Sequence, residues 1–481
     1  MLLTTELLFY YQRCQRRTFL DVFANPYERA RPSDFLVKLQ QDIWAYKQAI
    51  VAAQGYSQPN YTKDDWLAGA KATLELMQQG AERIYQGVLL AEGLENVSLV
   101  GTPDLLVKES GTSCFGDWMY FPLDIKLGKR PKLDYQLIVA YHALLLAFLQ
   151  GVLPSKALLL LRDKGEYSVN LSQRVPEVKK LASACIQMLK EQREPEVFIS
   201  RHPCSLCHWY SSCYALAKSE RHISLLPGVT ANRYTLLRKL NLTTIEALAA
   251  ADPTKLEIYP EFANKGAQQL VLQARAFLEN RALATPEAFC LSVNDLPVSS
   301  VELYFDIEAE PELNLNYLYG VLVVDRQNNT EKFYPFLAEK PEDEKVAWEQ
   351  FLQFVCQYPL APIFHFCEYE VQTVKRLAKR YYTPSHWWKP VLKRFTDVHA
   401  LVTRSVVMPV ESYALKSLAR WMGFEWRNFN ADGAQCVIWY ERWLATSDRS
   451  FLELILRYNE DDCRATYIVK DWLYNFLKTM Q

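Results

Sequence analysis

Val301-Glu302-Leu303-Tyr304-Phe305-Asp306-Ile307-Glu308 alternates residue by residue. Successive side chains of a strand point to opposite faces. Val301, Leu303, Phe305 and Ile307 therefore line one apolar face and leave Asp306 and Glu308 together on the other. Taken alone, two acids on a strand are as well explained by a solvated face. The far end of the chain adds a second pattern. Phe451-Leu452-Glu453-Leu454-Ile455-Leu456-Arg457 leads into Tyr458-Asn459-Glu460-Asp461-Asp462 with helical spacing, and on a helix Tyr458 and Asp462 share a face one turn apart.

A first strand carrying DxE and a last helix carrying YxxxD resemble the DEDDy exonucleases of the RNase H-like fold, over residues 301–481. The resemblance implies a 3'-5' exonuclease-type domain in which Asp306, Glu308, a central acid and Asp462 hold two divalent ions. Tyr458 then orients the hydrolytic water, and the two ions, Mg2+ or Mn2+, stabilise the entering and leaving oxygens. The family's central segment reads N-G-x-x-F-D, and the equivalent stretch here is His365-Phe366-Cys367-Glu368-Tyr369-Glu370. Glu370 takes the Asp position. Asp397, in Phe395-Thr396-Asp397-Val398-His399, is the alternative.

Towards the N-terminus, a Pro- and Ser-containing stretch, residues 286–300, reads as a linker, and residues 221–285 read as short helices with polar turns. Leu225-Leu226-Pro227-Gly228-Val229-Thr230, followed by Tyr234-Thr235-Leu236-Leu237-Arg238-Lys239-Leu240, resembles a helix-hairpin-helix module. Its Pro227-Gly228-Val229 hairpin would offer backbone N–H groups at a helix N-terminus to a phosphate, a contact blind to base sequence. Pro-Gly is also a common turn, so a plain helical spacer stays open. Tyr259-Pro260-Glu261-Phe262 reads as the start of a degenerate second copy.

Residues 1–220 mix helical periodicity with short strands. Gly101-Thr102-Pro103-Asp104-Leu105-Leu106-Val107 is a turn feeding an apolar run, and Phe115 to Lys132 reads as a hairpin containing Tyr120-Phe121-Pro122-Leu123-Asp124-Ile125-Lys126. Asp124 and Lys126 share one strand face while Leu123 and Ile125 point to the core. Two acids and a lysine on adjacent strands suit phosphodiester hydrolysis: the acids hold a hard divalent ion, and the lysine steadies the attacking water or developing charge. Surface salt bridges give the same bare pattern. Cys204-x2-Cys207-x5-Cys213 follows, and its natural fourth partner is Cys14. Four thiolates can hold an iron–sulfur cluster or a structural zinc.

An N-terminal Cys, GxPD, DxK, a helix with Gln and Tyr, and CxxC…C together resemble the iron–sulfur RecB-type nucleases of the restriction-endonuclease-like PD-(D/E)xK superfamily. The CRISPR adaptation exonucleases and the AddB nuclease domain belong there. The resemblance implies Asp104 and Asp124 as metal ligands, Lys126 as catalytic lysine, and Gln136 with Tyr141 on the substrate-side helix. Cys14, Cys204, Cys207 and Cys213 would clasp the two ends of the domain with a 4Fe-4S cluster. Two features depart from the family. No His follows Gly80, where Glu82 is the nearest substitute, and the Gln136-to-Tyr141 spacing is five where four is expected.

The bulk composition fits this reading. The chain of 481 residues is too long for one core, and its 28 Tyr, 23 Phe and 12 Trp argue against long disorder. A net charge of −1 gives no global basic field, so phosphate contacts must come from clusters such as Lys126 to Lys132 or Arg13, Arg16 and Arg17. The first residues lack a basic n-region, and no run reaches the ~18 apolar residues of a membrane span. Eleven unevenly spaced Cys argue against a secreted disulfide framework, so a cytoplasmic protein without membrane contact is expected.

The whole is expected to be an α/β multidomain chain: an iron–sulfur RecB-like nuclease domain (1–220), a small all-α helix-hairpin-helix module (221–285), a linker (286–300) and an RNase H-like domain (301–481). The three-part order resembles a RecB-like nuclease family of bacteria and archaea. It implies a Mg2+/Mn2+-dependent nuclease acting on DNA rather than RNA, in repair, recombination or defence, with a helicase or another such protein as partner. Two rivals stay open: a one-site exonuclease whose RecB-like domain is structural, and a nucleic-acid-binding subunit without catalysis.

Overall fold

The computed structural model describes residues 1–53, 55–92, 97–290 and 295–480, so 291–294, within the expected linker, lie outside the described residues. The chain divides into two compact units, Met1–Leu216 and Ala217–Gln481.

The first unit opens with β1 (Leu2–Thr4), α1 (Thr5–Arg13), α2 (Gln15–Phe23), α3 (Asp34–Ala52) and α4 (Trp66–Gln78). Strands β2 (Arg83–Tyr85), β3 (Leu89–Glu92), β4 (Ser98–Gly101), β5 (Leu105–Ser113) and β6 (Gly116–Lys126) follow. Then come α5 (Leu133–Gln150), β7 (Leu158–Leu161), β8 (Gly165–Ser168), α6 (Leu171–Glu191), α7 (Arg201–Ser205) and α8 (Tyr210–Ser219). The main sheet has the order β2-β5-β6-β7-β8, and β6 and β7 are its parallel pair. Parallel neighbours need a long crossover, and α5 supplies it while packing on β6. Pro122 cannot donate a ladder hydrogen bond; it sits just before the β7 pairing, which starts at Leu123.

At 18 residues with a mean hydropathy of 1.3, α5 is long and apolar enough to cross a membrane, although 67% of it is buried inside the protein. This corrects the sequence expectation that no segment reaches that length. Asp134, Gln136 and His142 interrupt the apolar run in one dimension, whereas averaged over the helix they are outweighed. A second sheet, β1-β4-β3, packs against the same helix, and β1 runs parallel to β4.

The second unit begins with short helices α9 (Ala231–Lys239), α10 (Ile245–Ala250), α11 (Pro253–Leu256) and α12 (Gly266–Glu279). Each of the first three starts on a side-chain cap: Thr230 accepts from Arg233 N, Thr244 from Ala247 N and Asp252 from Thr254 N. After β9 (Leu283–Ala284) come β10 (Val301–Glu310), β11 (Leu315–Asp325), β12 (Thr330–Leu337), α13 (Glu344–Cys356), β13 (Ile363–His365) and α14 (Tyr369–Arg380). The chain continues through α15 (Ser385–Leu392), β14 (Phe395–Asp397), α16 (Val398–Ser405), β15 (Val406–Val407), α17 (Leu415–Trp421), α18 (Gly433–Thr446) and α19 (Ser450–Lys478).

The large sheet is ordered β12-β11-β10-β13-β14. The first three strands form an antiparallel meander, and β10, β13 and β14 run parallel. β10 is therefore central, and α19 packs across it and β11. The acidic face of β10, read in sequence as open to a site, is covered by this helix along part of its length. Glu302 is fully buried there, with Lys470 Nζ 2.8 Å and Arg326 Nε 2.9 Å from its carboxylate. A buried charge is tolerable only with such partners.

Candidate active sites

Asp306 and Glu308 project from the same face of β10, and Asp462 reaches them from α19. Carboxylate oxygens of these three lie within 4.8 Å of one another, and among the described residues they are the one such group of His, Cys, Asp or Glu. Their approach depends on Gly320, which pairs with Asp306 across β10 and β11. A Cβ there would stand 1.6 Å from Asn459 Oδ1, so any side chain would have to displace the Asn459 amide that donates to Asp306. Asn459 Nδ2 donates to Asp306 Oδ2 at 2.7 Å, and Trp426 Nε1 donates to Asp462 Oδ1 at 2.7 Å. Tyr458 is near enough to Asp462 to act on its carboxyl, while Lys416 Nζ lies 4.9 Å over the Tyr458 ring.

The two candidates for the central acid occupy different environments. Glu370, at the start of α14, is 3% exposed, and its Oε2 has no hydrogen-bond partner; His365 Nδ1 stands 3.5 Å away. Its charge acts on both Asp306 and Glu308. Asp397 is instead the N-cap of α16, where its Oδ1 accepts from Ala400 N and from Cys367 N, both at 3.1 Å.

Burial pushes Asp306 well above the carboxylate range, and Asp462, Glu308 and Glu370 push it further. Glu308 is raised by burial and by Asp462. Burial carries Asp462 up to about 7 against the Trp426 hydrogen bond and the Lys416 charge, and it raises Glu370 despite His365. Burial and then Asp462 raise the Tyr458 hydroxyl far up, so it stays a proton donor at any working pH. Converging buried carboxylates with an orphaned oxygen are short of positive charge. Such an all-oxygen set fits a hard divalent cation.

The first-unit residues are brought together differently. Asp104 lies just ahead of β5 and Asp124 in β6; Asp104 Oδ2 accepts from Ile125 N at 2.7 Å. Lys126 Nζ is 3.0 Å from Asp124 Oδ2, and Lys47 Nζ, from α3, is 2.5 Å from Asp104 Oδ1. The buried His142 puts Nδ1 3.2 Å from Asp124 Oδ1, and its Nε2 meets Thr5 Oγ1 at 2.9 Å. Burial would raise Asp124, but Lys126 and then His142 outweigh it and hold the carboxyl well below its usual range. Gln136 is spent on Pro131 O (2.7 Å) and Arg174 Nε (3.1 Å). Tyr141 points away from the acids: its hydroxyl donates to Leu3 O at 3.0 Å in the core. The five-residue spacing puts His142, not Tyr141, beside Asp124. Glu82 pairs with Lys108 on the surface.

Cys14 sits between α1 and α2, where its sulfur caps the N–H of Arg17. Burial raises its thiol and Cys213 adds to that; burial likewise lifts Cys204 to about 11, with Cys14, Cys207 and Cys213 contributing. All four sulfurs therefore share one neighbourhood. Arg16 fixes it by donating to Pro195 O at 2.6 Å, and His208 Nε2 meets Asp21 at 2.6 Å. At the hairpin, Gly228 takes φ +89 and is exposed, Pro227 and Val229 are buried, and Arg233 Nη1 donates to Gly228 O at 2.9 Å.

Sequence reading missed Asn459, Trp426, Lys416, Lys47 and His142. Asn459 and His142 directly follow singled-out tyrosines on helices, a signal that was available; the other three reach their sites only through tertiary packing.

Residues 303–474 match the RNase_H_2 model of the RNase_H superfamily. The stretch contains Asp306, Glu308, Glu370, Tyr458 and Asp462 and the whole strand order described above, so the second unit contains an RNase H-like domain. Domains of this fold are usually metal-dependent nucleases, and their substrate is nucleic acid. No curated protein matches the chain.

Proposed function

We propose that the chain is a Mg2+/Mn2+-dependent nuclease with two separate phosphodiester-cleaving sites, acting on DNA. The observation that carries it is the convergence of Asp306, Glu308 and Asp462 beside Tyr458, with the charge of Glu370 acting on Asp306 and Glu308. At this site the four carboxylates would hold two divalent ions, which supply charge stabilisation to the entering and leaving oxygens. Tyr458, kept protonated, orients the hydrolytic water. Asn459 and Trp426 fix the rotamers of Asp306 and Asp462, and Lys416 offsets part of the negative charge. Glu370 is the central acid on this reading, and Asp397 a structural cap.

At the first site Asp104 and Asp124 would hold the ion and Lys126 would steady the developing charge. Cys14, Cys204, Cys207 and Cys213 would hold a 4Fe-4S cluster. Support comes from the mutual influence of these thiols, each close enough to act on another, and iron is preferred to zinc on the resemblance to the iron–sulfur RecB-type nucleases. Protein purified without oxygen should carry about four irons per chain and be brown; one zinc and no iron would refute the cluster. The proposed setting is cytoplasmic, in repair, recombination or defence.

The test is a nuclease assay on end-labelled single- and double-stranded DNA and RNA, with Mn2+ and with EDTA. A second reading is favoured by Lys47, whose ammonium already neutralises Asp104: the first domain grips nucleic acid without cutting it. Asp104→Ala then leaves every cleavage product unchanged, whereas two-site cleavage loses one class of product.

A further inference from the structure

A pocket of about 260 Å³ opens beside Tyr458. Its floor is a stripe of α19: Leu454, Arg457, Tyr458 and Asp461, spaced at three and four residues so that they share one face. Tyr458 is the seam, since Asp462 and Asn459 leave the helix on the adjoining face towards Asp306. The wall is the segment 427–429.

Three features make this more than a surface dent. The wall is pinned, because Arg427 donates from its backbone N and Nε to Asp461 at 3.0 and 2.8 Å and from Nη2 to Glu460 at 2.9 Å. Both acids near the pocket are thereby spent on guanidinium groups, Glu460 also on Arg464, so they offer little repulsion to an anion. Arg457, by contrast, is exposed, and its side chain has no hydrogen-bond or ion-pair partner among the described residues. Phe429 is 65% exposed, with the Arg420 guanidinium 4.3 Å from its ring centroid on one side. A lone exposed Phe needs no explanation. One that lines a pocket ringed by guanidiniums, sharing a wall with a phosphodiester-cleaving site, is placed to meet a base and its phosphate.

We propose that this pocket binds the nucleotide next to the scissile phosphate in an unpaired strand, its base stacked on Phe429 and its phosphate on Arg457. The proposal rests on the nuclease reading of the carboxylate site and names its substrate as single-stranded nucleic acid. The volume lies below the ~300–1,000 Å³ of pockets that enclose drug-sized ligands, which suits one base and not a base pair. Stacking is tolerant of base identity, so the pocket selects single-strandedness rather than sequence.

The experiment uses the full chain and a fluorescein-labelled single-stranded DNA of about a dozen nucleotides. Anisotropy reads binding with Ca2+ in place of Mn2+, and turnover is read with Mn2+. Phe429→Ala and Arg457→Ala should each weaken binding and raise KM about tenfold, with a smaller change in kcat. Phe429→Trp should restore both, whereas Phe429→Leu should not. Arg457→Ala should also flatten the dependence of log Kd on log salt by about 0.7, the share of one phosphate on a single strand. Wild-type affinity and KM in both alanine variants would overturn the pocket. Wild-type protein that cleaves no nucleic acid, yet binds the oligonucleotide and loses affinity in Phe429→Ala, would overturn the nuclease reading and keep the pocket.

Discussion

Asp124 in the first unit and Asp462 in the second are both buried carboxylates, yet their surroundings drive them in opposite directions. Asp124 meets Lys126 and accepts the His142 ring at close range, and its neighbour Asp104 meets Lys47, so two ammonium groups balance the cluster. Asp462 faces Asp306 and Glu308 with only a displaced Lys416 to compensate, and all three acids are raised. Burial acts on both sites; the number of cations within reach decides the sign. A cluster that supplies its own cations gains little charge relief from an added ion. A cluster of uncompensated acids must take up either protons or metal, and this makes the second site the stronger candidate for catalysis.

The largest effect should come from removing a ligand of the unbalanced site. Asp306→Ala should lower nuclease turnover roughly thousandfold or more, as expected when one carboxylate leaves a two-ion site. Iron content should stay that of wild type, since the cysteines belong to the other unit. A mild effect, measured with Mn2+ on end-labelled DNA, would break the contrast between the sites.

A stability measurement tests the same contrast without turnover. Asp462 has a folded pKa of about 7, above the ordinary unfolded value near 3.8. Between those values the folded state holds more protons, so stability must fall as pH rises through this window, by on the order of 4 kcal/mol when ionisation is complete. The metal-free protein should melt lower at pH 8 than at pH 5, Asp462→Asn should flatten that slope, and Mn2+ should raise the pH 8 value most. Asp124 gives the opposite sign: its depressed carboxyl contributes stability above the unfolded value, lost only as pH falls below it. Asp124→Asn should therefore leave the slope between pH 5 and 8 as it is. Equal slopes in wild type and Asp462→Asn would contradict the charge imbalance.

The central acid gives a smaller effect. On the proposed reading of Glu370 as the central acid, Glu370→Gln should cost about a hundredfold in turnover, since it replaces the unpartnered Oε2. Asp397→Asn should stay within a few-fold, since asparagine caps a helix about as well as aspartate. The reverse outcome would move the central ligand to Asp397.

Gly320→Ala should have the least effect on the comparison and act through packing alone. The new methyl would collide with Asn459 Oδ1 and approach Phe333 to 2.9 Å. We expect a loss of about 1–3 kcal/mol in chemical denaturation, with weaker Mn2+ binding at the second site only.

Much of the second domain was legible in one dimension because its signals are periodic. The period of two in Val301 to Glu308 placed Asp306 and Glu308 on one face, and the four-residue step from Tyr458 to Asp462 placed both on one side of α19. Legibility failed where periodicity stopped. Nothing in the spacing separates Glu370 from Asp397, because both lie at the junction of a short strand and a helix; their settings differ only in space, Asp397 capping α16 and Glu370 buried with an unpartnered oxygen. Glu302, on the same strand, is sealed under α19 with Lys470, a residue 168 positions away, and nothing in its spacing signals that.

Residue order by itself determined which side chains are able to share a face: the DxE strand, the YxxxD helix, the Asp124–Lys126 pair and the clustered cysteines. These follow from backbone geometry, which repeats locally whatever surrounds it. Tertiary structure alone decided the charge of each site. Lys47, His142, Lys416 and Trp426 arrive from elements distant in sequence, and a carboxylate's ionisation depends on what lies within a few ångströms in space.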